Sequence, residues 1–226
     1  MLDQEFHLSV NFAVATTLED YLAQLGGVPA ERVRMTPPPG TATFADCIAA
    51  NESGGRGLFE LVDGTLVEKA MSYEASVVAA TILFVLKSFV SSRRLGLVSG
   101  IDGFFRLLSS TRGPDVAFIS RERLPGGVFP TQPYPALAPN LVVEVLSPGN
   151  TRSEMVRKRL EYFHNGIQLV WIVDCTHRTV AVYTSSSDVS ILGEQETIEA
   201  GDVLPGFSSP VAAFFTDLDI GQPTDA

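Results

Sequence analysis

The sequence contains few cysteines and no long hydrophobic run, and each shortage excludes a class of protein. Two cysteines, Cys47 and Cys175, occur among 226 residues, so the chain is not a disulfide scaffold. The longest apolar run is ten residues, Val77 to Leu86, whereas a membrane-spanning helix needs about 20. The first ten residues hold acids and no basic segment, unlike a secretory signal. We therefore expect a cytoplasmic protein with reduced thiols and no membrane segment.

Basic residues are also scarce, and most of the acidic excess lies near the C-terminus. The chain has 26 acidic and 16 basic residues, a net charge of −10. Residues 160–226 hold ten acids and one base, Arg178, whereas Lys87 to Arg159 hold 11 of the 16 bases. The net charge speaks against an indiscriminate nucleic-acid binder. A local basic surface in the middle of the chain is one interpretation, and a mixed, solvated surface is the other.

The apolar content predicts a folded protein with one main domain. Hydrophobic residues make up 45% and charged residues 19% of the sequence, which is typical of a globular chain with a buried core. The length suits one domain with an appendage. We expect an N-terminal lead-in region over 1–40, which contains a short helix and a Pro-Pro-Pro-Gly connection, a main domain over 41–216, and a tail over 217–226.

The order of elements predicts an α/β (α+β) fold with a mixed sheet flanked by helices. Asp63-Gly64 joins two apolar runs, a pattern typical of a β-hairpin with a type I′ turn. Long helices are expected over Tyr73 to Ser92 and over Thr151 to Asn165. The second helix connects two strands and predicts a crossover. Further strands are expected at 97–101, 104–108, 115–119, 141–146, 169–173, 179–184, 203–207 and 211–215.

Two acidic residues in apolar strands are the first candidates for chemistry. Glu144 lies within Val142-Val143-Glu144-Val145-Leu146, where burying a carboxylate is costly unless a cation compensates it. Asp115 starts a strand directly after Pro114. Two carboxylates on neighbouring strand ends suit a hard divalent cation such as Mg²⁺. Such an ion can activate a water for attack on a phosphodiester.

Five segments along the chain form a pattern together. They are Gly113-Pro114-Asp115-Val116-Ala117-Phe118-Ile119-Ser120, Pro139-Asn140-Leu141-Val142-Val143-Glu144-Val145-Leu146-Ser147-Pro148, the helix with Lys158, Tyr162 and Gly166, the strand Val170-Trp171-Ile172-Val173-Asp174, and Leu204-Pro205-Gly206-Phe207. With these segments the chain resembles the Uma-type putative restriction endonuclease family, which is grouped with the PD-(D/E)XK nucleases. The resemblance extends from about residue 43 to residue 215. The resemblance implies a restriction-endonuclease-like core with an N-terminal hairpin and extra C-terminal strands.

The resemblance also implies a role for individual residues. Asp115 matches the aspartate of the motif, a metal ligand. Glu144 matches the second acidic position, a ligand that also orients the water, and Val145 would offer its backbone carbonyl to the metal. Glu60 matches an acid common early in the family and is a candidate auxiliary ligand. The alternative for Glu60 is a solvent-facing acid on the hairpin.

One position departs from the superfamily pattern. The lysine expected two residues after Glu144 is replaced by Leu146, although residues i and i+2 of a strand share a face. The family places a lysine on the following helix instead, where Lys158 stands. The alternative is an exposed i,i+4 ion pair between Glu154 and Lys158, which would stabilise the helix by only ~0.2–0.5 kcal/mol.

The carboxylates and the resemblance together imply an Mg²⁺-dependent endonuclease, with Mn²⁺ as a substitute ion. A bacterial source, DNA as the substrate and a homodimer as the assembly are expectations from the resemblance alone. Asp115, Glu144 and Lys158 would be the catalytic residues. The first alternative is an inactive member of the fold that binds nucleic acid or protein, in which Glu144 pairs with Lys158 or an arginine. The second is a hydrolase of another phosphorylated substrate. The candidate phosphate-contacting residues are Arg93, Arg94, Arg106 and Arg112.

Overall fold

A computed structural model describes residues 15–55 and 57–221. The helices are α1 (Leu18–Gln24), α2 (Phe44–Glu52), α3 (Tyr73–Arg93) and α4 (Arg152–His164). The strands are β1 (Phe59–Val62), β2 (Thr65–Glu68), β3 (Gly96–Ser99), β4 (Phe105–Arg106), β5 (Thr111–Arg112), β6 (Val116–Ser120), β7 (Leu141–Val145), β8 (Leu169–Asp174), β9 (Thr179–Tyr183), β10 (Val189–Gly193), β11 (Thr197–Glu199) and β12 (Ser208–Pro210).

The central sheet has six strands in the order β10-β9-β8-β7-β6-β3. Strands β7 and β8 pair in parallel, and every other pair in this sheet is antiparallel. Helix α4 connects β7 to β8, because parallel neighbours need a crossover connection. The mixed sheet and the crossover predicted from the sequence are therefore confirmed.

The two faces of β7 belong to different halves of the molecule. Val143 packs on the face that also holds Ile82 of α3, whereas Val142 packs with Tyr162 of α4. Since successive side chains of a strand point to opposite faces, Glu144 shares the face of Val142. The alternation directs Glu144 toward α4.

A second, smaller sheet in the order β2-β1-β5-β4 lies beside the central one. Its β1–β2 hairpin is the predicted one: Asp63 and Gly64 have φ angles of 45° and 69°, the left-handed values that a type I′ turn requires. The chain leaves β5 through Gly113-Pro114-Asp115 and enters β6 of the central sheet. Asp115 is therefore located at the junction of the two sheets.

The N-terminus of α4 is held by a buried ion pair that was not predicted. Thr151 and Glu154 form a capping box at the start of this helix. The Arg32 guanidinium makes two hydrogen bonds to the Glu154 carboxylate, at 2.7 and 2.9 Å, and a third to the Glu68 carbonyl at 2.7 Å. The alternative of an exposed ion pair between Glu154 and Lys158 is wrong, because both side chains are buried and Glu154 pairs with Arg32.

The C-terminal elements differ from the expected strands. Residues 203–207 form no strand, because Pro205 and Gly206, with φ of 77°, turn the chain there. Val211–Phe214 is a 3₁₀ helix rather than a strand, and its Phe214 ring packs against Trp171. The extra C-terminal strands are instead β11 and β12, which pair antiparallel.

Helix α3 is long and apolar enough to cross a membrane by length and composition alone. The six side chains Ala75, Val78, Ala79, Ile82, Leu86 and Val90 of this helix are buried in the protein core. One such helix is weak evidence for a membrane span, since a core helix passes the same test. The expected absence of a membrane segment stays a prediction.

Candidate active site

Asp115 and Glu144 lie next to each other on adjoining strands. Asp115 directly precedes β6, whose first residue, Val116, is paired with Val143 of β7. The Asp115 Oδ2 atom accepts a hydrogen bond from the Val145 backbone N–H at 2.7 Å. This bond fixes the carboxylate at the end of β7, beside Glu144. The structure thus brings together the two acids predicted as metal ligands.

Helix α4 adds a lysine and a tyrosine to Glu144. The Lys158 ammonium lies 3.3 and 3.4 Å from the two Glu144 carboxylate oxygens. The Tyr162 hydroxyl donates a hydrogen bond to Glu144 Oε1. Because residues i and i+4 lie on one helix face, Lys158 and Tyr162 approach the same carboxylate. The pairing of Lys158 with Glu144 is present, and Tyr162 of the same helix motif also contacts the site.

Glu60 faces the interior of the protein. Its side chain is 1% exposed, and its Oε1 atom lies 3.1 Å from the Lys158 ammonium. It also accepts hydrogen bonds from the Arg112 guanidinium at 2.9 Å and from the Gly113 N–H at 3.2 Å. The solvent-facing alternative for Glu60 is wrong, because its side chain is enclosed by Lys158 of α4 and Arg112 of β5.

Arg112 is an internal counter-ion. It is buried, and besides Glu60 it contacts Glu161 of α4 at 2.5 and 3.1 Å. A guanidinium held by two carboxylates is not free to follow a phosphate backbone, so its assignment to a DNA track is wrong. Arg93, Arg94 and Arg106 are exposed, and their role toward DNA stays a prediction.

Lys69 is a site residue that the sequence reasoning missed. It directly follows β2 and is buried. Its ammonium lies 2.8 Å from Asp115 Oδ1 and donates a hydrogen bond to the Gly113 carbonyl at 2.5 Å. The available signal was a lysine at the end of an apolar strand that is paired, through the hairpin, with the strand of Glu60.

The buried charges shift one another's ionisation. Burial alone would raise the pKa of Glu60, but the charges of Lys158, Arg112 and Lys69 outweigh it and lower that pKa to about 2. Burial raises the pKa of Glu144, and Lys158 and Lys69 offset this only in part. Burial would lower the pKa of Lys158, but Glu144 and Glu60 raise it. The site therefore holds Lys158 charged and favours the protonated form of Glu144 more than water does.

Comparison with known proteins identifies the family to which the sequence belongs. The family model "Uma2: Putative restriction endonuclease" matches residues 53–212. The chain belongs to the Uma2 family. The matched range includes the five residues Glu60, Lys69, Asp115, Glu144 and Lys158, so the family resemblance seen in the motifs is confirmed.

A solved structure shares the fold of this Uma2 chain. It is the crystal structure of a putative nuclease belonging to DUF820 from Anabaena variabilis ATCC 29413. The two chains are 18% identical and superpose with a TM-score of 0.64, over 72% of this chain and 92% of the other. No curated protein matches the sequence. The likeness confirms the nuclease-like fold.

The donor chemistry of the Uma2 site fits a divalent cation. Asp115 and Glu144 offer carboxylate oxygens and Val145 a carbonyl oxygen, the ligand types that Mg²⁺ prefers. In the described ranges, no group of three or more His, Cys, Asp or Glu side chains is arranged to hold a metal ion. Each of the two carboxylates contacts a lysine ammonium instead. The oxygens are of the right kind, and ammonium groups compensate their charge.

The depressed pKa of Glu60 predicts how stability falls in acid. A carboxyl with a lowered folded-state pKa stabilises the protein above its ordinary pKa near 4.5, and the contribution disappears as pH falls toward about 2. A shift of this size corresponds to a free energy on the order of 3 kcal/mol. We expect the free energy of unfolding of Glu60→Gln to vary less steeply between pH 4.5 and 2, as measured by urea denaturation.

The exposed Glu52 supplies the control for this measurement. Glu52→Gln should keep the slope of the parent protein in the same acid range. Parallel curves for Glu60→Gln and the parent would show that Glu60 is not ionised between charged neighbours.

Proposed function

We propose that this Uma2 protein is a metal-dependent endonuclease that hydrolyses DNA phosphodiester bonds. The family and the nuclease-like fold support a nuclease in general. The observation that carries the finer proposal is the meeting of Asp115 and Glu144 at adjoining strand ends, with the Lys158 ammonium on Glu144. Two carboxylates and a lysine in one place are suited to binding a cation and a phosphate together.

In this proposal, the protein supplies the ligands for Mg²⁺, or for Mn²⁺ in its place. Asp115, Glu144 and the Val145 carbonyl would hold the ion, with Glu60 as a candidate auxiliary ligand. When bound, the ion would lower the pKa of a water and offset negative charge on the phosphate. The Val145 N–H keeps Asp115 oriented toward the end of β7, through its 2.7 Å hydrogen bond.

The remaining chemistry falls to Glu144 and Lys158. As a ligand of the ion, Glu144 would also orient the attacking water. Tyr162 donates a hydrogen bond to that carboxylate and orients it. Lys158, kept charged by Glu144 and Glu60, offers a positive charge to the phosphate from the helix side. This replaces the lysine that the strand lacks at Leu146.

The direct test is metal-dependent cleavage of supercoiled plasmid by the purified chain. We expect nicked or linear DNA with millimolar Mg²⁺ or Mn²⁺, and none with Ca²⁺ or with EDTA. A Glu144→Gln preparation, purified in parallel, should be inactive and controls for contaminating nucleases. Equal cleavage by Glu144→Gln, or intact plasmid with every metal, would contradict the proposal.

A second candidate is supported by the ion pairs themselves. Lys158 contacts both Glu60 and Glu144, as the sequence alternative of an internal ion pair requires. In this case the protein would bind nucleic acid or protein without cleavage, and the buried charges would only be structural. Retention of DNA on the chain in a gel-shift assay, with no cleavage in any metal, favours this candidate.

A further inference from the structure

Lysine is rare in this chain, and its placement is uneven. The sequence has three lysines, Lys69, Lys87 and Lys158. Lys87 is exposed on α3, whereas the other two are buried beside the site carboxylates. Lys158 contacts Glu144 and Glu60, whereas Lys69 contacts Asp115. Its role is not explained by the proposed function.

The surroundings of the Lys69 ammonium are those of a small cation. It contacts Asp115 Oδ1 at 2.8 Å and the Gly113 carbonyl oxygen at 2.5 Å. A carboxylate and a backbone carbonyl are also the oxygen ligands that hard divalent cations take. The second Asp115 oxygen, Oδ2, is already held by the Val145 N–H. Both carboxylate oxygens of Asp115, the expected metal ligand, are thus engaged. The Lys69 ammonium holds Oδ1.

We propose that Lys69 is a positioning residue whose ammonium occupies the cation position on Asp115 and yields it when a divalent ion binds. The inference rests on the proposed function, since it takes Asp115 as a metal ligand. Two positive charges on one buried carboxylate oxygen repel each other strongly, because screening there is weak. Metal binding must therefore displace Lys69 from Asp115 Oδ1. The lysine stem is long and flexible enough for such a move without a shift of the backbone.

This competition has two effects, one on the affinity for a divalent ion and one on the charge balance of Asp115. With Lys69 in place, Asp115 is a paired charge rather than a lone buried carboxylate, which would be costly. The same pairing lowers the affinity for a divalent ion. A purely structural role predicts the opposite result on removal of Lys69, because a disturbed site binds metal less tightly.

The test is calorimetric titration of Mn²⁺ into the full chain and three lysine variants. We expect Lys69→Met to bind Mn²⁺ at least about tenfold more tightly than the parent protein, because the competing charge is gone. Lys69→Arg, which keeps a cation, should bind no more tightly than the parent. Lys87→Met, the exposed matched control, should have the parent affinity. The melting temperature of Lys69→Met should rise more on addition of Mn²⁺ than that of the parent.

The outcomes separate this inference from the proposed function. Equal or weaker Mn²⁺ binding by folded Lys69→Met, with binding still lost in Asp115→Asn, overturns the inference and leaves the metal site standing. No Mn²⁺ binding by any variant, with or without duplex DNA, overturns both. Binding by Lys69→Met alone supports the inference. If Lys69→Met does not fold, Lys69→Gln gives the same comparison with a polar side chain that can still donate to Gly113.

Discussion

Asp115→Ala should lose Mg²⁺-dependent DNA cleavage by at least about a thousandfold. A catalytic metal ion contributes several kcal/mol of transition-state stabilisation, and each 1.36 kcal/mol is about tenfold in rate. Asp115 is the proposed metal ligand, and its carboxylate is held in place by the hydrogen bond from the Val145 N–H. No described side chain nearby replaces it, since Glu144 and Glu60 already face Lys158. The measurement is the initial rate of plasmid nicking under saturating metal.

Alanine also leaves the buried Val145 N–H without its acceptor, so loss of activity must be separated from loss of fold. Asp115→Asn is the matched variant, because its amide oxygen can still accept the Val145 N–H while the charge is removed. It should melt as a folded protein and be as inactive as Asp115→Ala. The exposed Asp102→Asn should cleave like the parent. A folded Asp115→Asn with the parent's metal-dependent activity would refute the assignment.

The pair of acids was predictable because it depends on local sequence. A glutamate in a strand as apolar as β7 must lie where a cation compensates its charge. The alternation of side chains along the strand determines which face of the sheet it occupies. Asp115 follows a proline and precedes a strand that pairs with β7. The position of Asp115 beside Glu144 follows from that pairing. The helix of Lys158 was predicted over Thr151 to Asn165, and the structure confirms it to within one residue at each end.

The counter-ions were not predictable from the sequence because they depend on the second sheet. The β1–β2 hairpin was recognised from Asp63-Gly64, but its pattern does not show which face is covered. Strand β5 has only two residues, too short for a periodic signal, yet its pairing with β1 buries Glu60 and Arg112. In the sequence, Lys69 is an ordinary residue at the end of a strand. Its contact with Asp115 depends on how the two sheets meet, which the sequence pattern does not show. Arg32, which pairs with Glu154, lies 122 residues earlier in the chain than its partner.

The prediction of C-terminal strands at 203–207 and 211–215 was wrong for a related reason. The apolar run from Val211 to Phe215 has no alternation, and short apolar runs do not distinguish a strand from a buried turn of helix. Its side chains are needed on the α3 face of the central sheet, where Phe214 and Phe207 surround Trp171. A 3₁₀ turn presents them there, while β11 and β12 supply the strand pairing.

Lys158→Met should lower the free energy of unfolding by about 3–5 kcal/mol at neutral pH, because it leaves two buried carboxylates short of a counter-ion. Methionine fills most of the space of the lysine stem, so the loss reports charge rather than packing. The side chain is 2% exposed, and Glu60 and Glu144 lie 3.1 and 3.3 Å from its ammonium. Urea denaturation measures the change, with Lys87→Met expected within about 0.5 kcal/mol of the parent. A loss below about 1 kcal/mol would mean that the two carboxylates are compensated by other groups.

The same substitution separates a catalytic Lys158 from a structural one once stability is restored. Adding Glu60→Gln to Lys158→Met removes one of the two carboxylates that Lys158 contacts, and we expect it to recover part of the lost stability. Glu60→Gln alone is the reference for binding and cleavage, because Glu60 is itself a candidate metal ligand. Asp115 and Glu144 are untouched in this double variant, and Tyr162 still donates to Glu144. If Lys158 acts on the phosphate, the refolded double variant binds Mn²⁺ and yet does not cleave DNA. If Lys158 only balances the charge of Glu60 and Glu144, cleavage returns together with stability, and the catalytic cation must be sought at Lys69.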